Sequence, residues 1–213
     1  MYLSHPSTNW LKMVISEIKQ ISAQFQDKAK QILKESKFIE ILERNGLRVN
    51  LIGSLRMGLM VNHRDIDLHI YSKDITIESS FQVISKLAAN PNVIETLCIN
   101  GLNTDEHCVE WHLKYRDKEN KIWQFDIIHI EEGSQYDGYF ERMADRICEI
   151  ITPSQRDTIL NLKYFSSFDN EIQIHGVEIY EAVIDNGIED FEELKEWVKK
   201  RRMKAPYFWT PKG

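Results

Sequence analysis

Asp65 and Asp67 stand two residues apart in "RDIDLHIY", a run whose alternation reads as a β-strand. Period two puts Asp65, Asp67, His69 and Tyr71 on one face and Ile66, Leu68 and Ile70 on the other. Two carboxylates side by side on an otherwise apolar strand repel each other unless a positive charge lies between them. Oxygen-only ligands favour a hard divalent cation, Mg²⁺ or Mn²⁺. A third carboxylate on a neighbouring strand would let two ions bind close together, and Asp126 in "WQFDIIHI" is the candidate, sharing a face with Gln124 and Ile128. Upstream, Gly53-Ser54 follows a strand-like run and precedes "LRMG", so the backbone there can turn with its N–H groups toward an anion, helped by the Ser54 hydroxyl and Arg56.

Other readings compete at the same residues. The aspartates could be solvated side chains on an exposed strand. His63, Asp65, Asp67 and His69 could bind zinc, although no H-E-x-x-H or cysteine pair accompanies them. "HRD" imitates a kinase catalytic loop, but Ile70 stands where that loop needs Asn and no D-F-G follows, which excludes the kinase. His107, His112 and His129 read as ordinary strand histidines.

Taken together, "GSLRMG", "RDIDLHI" and "FDII" resemble the nucleotidyltransferase superfamily of DNA polymerase beta. The likeness covers about residues 47–130, and the rest is similar only loosely to the helical lobes of aminoglycoside nucleotidyltransferases and tRNA-tailing relatives. The resemblance implies that Asp65 and Asp67 ligate two Mg²⁺ ions and that Asp126 ligates the catalytic one and helps deprotonate an acceptor hydroxyl. It also implies that Gly53 and Ser54 hold the triphosphate of an NTP, expected to be ATP, with Arg56 beside them. Lys163, set among apolar residues in "ILNLKYF", corresponds to a lysine that such enzymes often direct at the triphosphate. Arg64 departs from the small polar residue common before the first aspartate. His63 is nearer in kind to aminoglycoside and lincosamide members.

These residues need elements to hold them. Apolar spacing predicts a helix from Ser7 to about Gln24 and a second from about Ala29 to a stop at Asn45-Gly46. Strands follow at "LRVNLI" and "RDIDLHIY", then a helix from about Ser79 to Ala89 and a strand at "VIETLCIN". The polar "DKEN" joins "HCVEWHLKYR" and "KIWQFDIIHI" as a hairpin. Beyond "EEGSQYDG" the period turns helical, over Tyr139 to Ile150, Pro153 to about Phe165, Gly176 to about Asn186 and Asp190 to about Lys200. The expected fold is α+β: a mixed-sheet catalytic lobe with N-terminal helices over residues 1–135, and a helical lobe with its tail over 136–213. Arg142, Arg146, Arg156 and Lys163 have spacings compatible with a cationic wall, a solvated helix face being the blander reading. Tyr164 reads as core packing.

With 213 residues, 42% hydrophobic and 28% charged, the composition is that of an ordinary globular chain. A net charge of −6 argues against nonspecific binding along a polyanion, which depends on many lysine and arginine contacts to phosphate. No apolar run is long enough to span a bilayer, and a cytoplasmic location is expected, with no membrane partner. Cys98, Cys108 and Cys148 lack C-x-x-C spacing and read as reduced thiols. The expected activity is transfer of a nucleoside monophosphate to a hydroxyl, on a small molecule or protein ahead of an RNA end. The alternative is an idle, nucleotide-binding regulator or antitoxin-like module.

Overall fold

The computed structural model describes residues 8–203 and 209–212, with side chains from residue 14 onward. Ser7, the expected helix cap, lies outside the described residues. Two compact units emerge, and neither is a consecutive stretch. One takes in the chain up to Gln26, Leu59–His63 and everything from Arg146 on; the other comprises Asp27–Gly58 and Arg64–Asp145. The sequence boundary at 135/136 therefore differs from the boundaries of the compact units. The first part of the N-terminal helix is tied to later residues: the Ser22 hydroxyl donates to the Met60 carbonyl at 2.6 Å, and Lys19 pairs with Asp157 at 3.0 Å.

That helix is α1 (Thr8–Ser36), one continuous element where two were expected. The break comes later, at Lys37, whose φ of 59° is left-handed and forces the chain to restart as α2 (Phe38–Arg44). α2 ends as expected, at Asn45 with Gly46 at φ +81°.

The sheet belongs to the unit of Asp27–Gly58 and Arg64–Asp145. Strands β1 (Arg48–Leu51), β2 (Asp65–Ser72), β3 (Val93–Asn100), β4 (Cys108–Arg116) and β5 (Ile122–Glu131) lie in the order β1-β2-β5-β4-β3. β2 and β5 run parallel and the other pairs antiparallel, so the sheet is mixed. One face is apolar: Ile66, Leu68, Ile70, Leu113, Phe125 and Ile127 are fully buried. α2 and α4 (Ile77–Ala88) pack on the sheet, with Phe38 against Phe125 at 4.6 Å between ring centroids. α4 starts where it does because Thr76 and Ser79 form a reciprocal capping box. Ser80 is fully buried and satisfies two groups of the sheet, accepting from Trp111 Nε1 at 2.8 Å and meeting His129 Nδ1 at 3.0 Å.

A short helix, α3 (Gly53–Met57), replaces the open turn expected after β1. The hairpin between β4 and β5 is held by Asp117, which accepts from the backbone N–H of Glu119 and Lys121 and from Trp123 Nε1. After β5 comes α5 (Tyr139–Ile150).

In the other unit α6 (Pro153–Ser166), α7 (Gly176–Asn186) and α8 (Phe191–Arg202) pack on one another around Ile159, Leu162, Ala182 and Val198. α6 starts at Pro153 as expected, behind a capping box formed by Thr152 and Gln155. Glu178 is buried and paired with Arg202 at 2.6 Å. Among the described residues no helix is long and apolar enough to cross a membrane.

Candidate active site

Register decides whether the three acids can meet. In the β2–β5 pair Asp65 faces Gln124 and Asp67 faces Asp126. Residues opposite one another on neighbouring strands share a face and lie about 4.8 Å apart. Asp67 and Asp126 are therefore immediate neighbours, and Asp65 sits two positions along the same strand on the same side. All three are half-buried.

The glycine turn closes on the same point. The Ile52 N–H donates to the Asp67 carbonyl at 3.0 Å, continuing the β1–β2 ladder to the edge of α3. Gly53 has φ +66°, and a Cβ added there would lie 1.9 Å from Asp67 Oδ2 and 2.6 Å from Asp67 Cγ. The Asp67 carboxylate thus occupies the space that any other residue at position 53 would fill. Ser54 follows in the first turn of α3. Arg56 is committed within its own unit: its guanidinium donates to Asp145 at 2.6 and 3.1 Å and to the Leu51 carbonyl at 3.0 Å, bracing the end of β1 against α5. Lys163 belongs to the other compact unit, where its buried ammonium donates to the Tyr180 hydroxyl at 3.2 Å.

Two partners of Asp126 were not foreseen. His112, read from the sequence as an ordinary strand histidine, faces Asp126 across the β4–β5 pair, and its Nδ1–H donates to Asp126 Oδ1 at 2.5 Å. Gln124 Nε2 donates to the same oxygen at 2.8 Å. Both bonds converge on Oδ1, which fixes the carboxylate while its second oxygen has neither of them. Glu110, two residues before His112 on β4, lies 3.7 Å from His112 Nε2. The signal was the alternation of "CVEWHLK", which puts Glu110 and His112 on one face; what it lacked was the register.

Further along the same face the polar groups are buried. His69 Nδ1 is 3.3 Å from the Tyr71 hydroxyl, and that hydroxyl donates to Glu141 Oε1 at 2.5 Å. Asn50 Nδ2 donates to the same Glu141 oxygen at 2.9 Å. Since the one phenolic proton goes to Glu141, His69 Nδ1 must carry the hydrogen toward Tyr71, and Nε2 is the acceptor nitrogen. Burial lowers the His69 imidazole to about 4, and burial together with the Glu141 carboxylate raises the Tyr71 phenol. Arg48 stacks on the Tyr71 ring at 3.8 Å and pairs with Asp137, closing this end of the sheet.

The donor set suits a hard divalent ion. Asp65, Asp67 and Asp126 share one sheet face and offer oxygen alone, the donor type such an ion takes, and Asp126 is held from behind by His112 and Gln124. Among the described residues the acids and thiols whose ligand atoms all lie within 4.8 Å of one another are Glu106, Cys108 and Glu110, so the three aspartates share a face without forming so tight a cluster.

No family model matches the chain, and no curated protein does. Solved structures do. The Cid1 poly(U) polymerase with MgGTP bound superposes with a TM-score of 0.61 at 12% identity, over 84% of this chain and 56% of that one. The noncanonical poly(A) polymerase complex GLD-2–GLD-3 gives 0.56 at 12% identity, over 78% and 57%. A cytoplasmic RNA terminal U-transferase gives 0.54 at 18% identity, over 75% and 45%. The chain thus spans about half the length of these structures. Its α+β architecture, with five strands in a mixed sheet, is the nucleotidyltransferase fold.

Proposed function

We propose that the protein is a metal-dependent nucleotidyltransferase that passes a nucleoside monophosphate from an NTP, with ATP the expected donor, to a hydroxyl acceptor. The observation that carries this reading is the register match of Asp67 with Asp126, with Gly53 closed against the Asp67 carboxylate. The solved structures of the same fold support it, since they include complexes with MgGTP and with a UTP analogue.

In this reading Asp65, Asp67 and Asp126 hold Mg²⁺, with Mn²⁺ as a substitute. Bound metal would neutralise the polyphosphate and lower the pKa of the acceptor hydroxyl. Gly53 and Ser54 receive the triphosphate. His112 and Gln124 keep Asp126 in one orientation, so its remaining oxygen faces the reaction without rotamer loss. The acceptor oxygen forms a bond to the α-phosphorus as the bond to the bridging oxygen breaks. Pyrophosphate leaves with the electron pair, and Asp126 takes the hydroxyl proton.

The test is incubation of the protein with Mg²⁺ and α-labelled NTPs, alongside cell extract as a source of acceptors. Labelled product that disappears in Asp126→Asn, while Mg²⁺-dependent ATP binding persists, is the expected result. Absence of any metal-dependent NTP binding refutes the reading. NTP binding and partner capture with no transfer by the unaltered protein favour the idle regulator.

A further inference from the structure

A pocket of about 220 Å³ opens on the same sheet face, further along β4 and β5. Ile128, Ile130 and Phe140 give it apolar walls, and His69, Glu106 and Glu110 give it polar ones. It is contiguous with the acid cluster. Glu110 pairs with Ile128 two residues past the His112–Asp126 pair, and the Glu110 carboxylate reaches within 3.7 Å of His112, which holds Asp126.

The charged groups are one-sided, and the Tyr136 hydroxyl and Cys108 thiol are the lining groups able to donate a hydrogen bond. Glu106 and Glu110 only accept hydrogen bonds when ionised. His69 is 2% exposed, its Nδ1 is spent on Tyr71, and among the described residues Nε2 has no hydrogen-bond partner. No lysine or arginine lines the pocket. Such a site repels phosphate and carboxylate and welcomes a ligand rich in N–H and O–H donors, above all a cation. The volume corresponds to about seven waters at ~30 Å³ each, and falls below the ~300 Å³ of drug-sized sites. A group the size of a monosaccharide fits.

We infer that this pocket binds a hydroxylated organic amine, its ammonium against Glu106 and Glu110 and its carbon frame on Ile128 and Phe140. That amine is the acceptor end of the reaction; calling it an acceptor rests on the proposed nucleotidyl transfer, whereas its binding does not. Oxygen and sulphur atoms of Glu106, Cys108 and Glu110 also lie within 4.8 Å of one another, a spacing that a metal ion could bridge. The Ile128, Ile130 and Phe140 walls offer a bare metal ion no ligand atom and offer a carbon frame apolar contact. An organic cation is the better match.

The experiment follows isoleucine methyl resonances of the full chain, with Ile128 and Ile130 as reporters. Glucosamine and ethanolamine are titrated beside their neutral counterparts, glucose and ethylene glycol, and beside glucose 6-phosphate, a short oligouridylate and Zn²⁺. Saturable shifts at both reporters are expected from an amine below about 10 mM, weakened about tenfold in Glu110→Gln and in the more exposed Glu106→Gln. The inference is overturned if neutral partners bind as well as amines, if only the phosphate, the RNA or Zn²⁺ moves the reporters, or if nothing does. Mg²⁺-dependent ATP binding is measured on the same samples. Amine binding without ATP binding keeps the pocket and removes the transferase; ATP binding without an amine response does the reverse.

Discussion

Replacing Gly53 by alanine tests the heart of the site with a single methyl group. At φ +66° an alanine carries a left-handed backbone cost of about 1–2 kcal/mol. Its Cβ would also stand 1.9 Å from Asp67 Oδ2, so the carboxylate must swing away, at a further cost of about 0.5–1.5 kcal/mol for an off-rotamer side chain. Gly46→Ala is the matched control: φ is +81° and nothing lies within 4 Å, so only the backbone cost remains. Thermal denaturation should show Gly46→Ala lowering Tm by about 2–8 °C and Gly53→Ala by a few degrees more. The larger separation should appear in Mn²⁺ titration with ATP present. Gly46→Ala should retain affinity, and Gly53→Ala should lose about 10–100-fold because Asp67 has left its position. A double-mutant cycle with Asp67→Ala should be strongly non-additive, since that change removes the two atoms in closest conflict. Equal behaviour of the two glycine variants in both assays would refute the packing of Asp67 on Gly53 and the site built upon it.

His112→Phe keeps a ring at position 112 but removes the donor to Asp126, and should weaken Mn²⁺ affinity about 10–100-fold with little change in fold, read by Mn²⁺ titration and circular dichroism. Acid stability should expose His129. Burial depresses its imidazole from 6.5 to about 4, so unfolding takes up a proton below pH 6.5. The stability this neutral ring contributes is complete above pH 6.5 and is lost as pH falls toward 4, by about 3 kcal/mol at most. Urea unfolding of His129→Gln across that window should therefore give a shallower slope than the unaltered protein.

The sequence by itself determined the elements that carry the chemistry. "RDIDLHIY" had to be a strand with both aspartates on one side, because period two leaves no other arrangement of three buried aliphatic residues. The stop at Asn45-Gly46 and the start at Pro153 were equally legible, since a left-handed glycine and a first-turn proline act within one turn of chain. The break between α1 and α2 was not, because Lys37 carries no local signal for a positive φ.

Only tertiary structure could decide who faces whom. A four-residue connection at "DKEN" would set His112 opposite Phe125. The observed turn runs from Asp117 to Lys121, closed by the Asp117 N–H donating to the Lys121 carbonyl at 2.9 Å. One residue of register turns every side chain of a strand to the other face, and here it delivers His112 to Asp126. The parallel pairing of β2 with β5 joins residues some sixty positions apart. No periodicity within either strand encodes that partner; the packing of the whole sheet selects it.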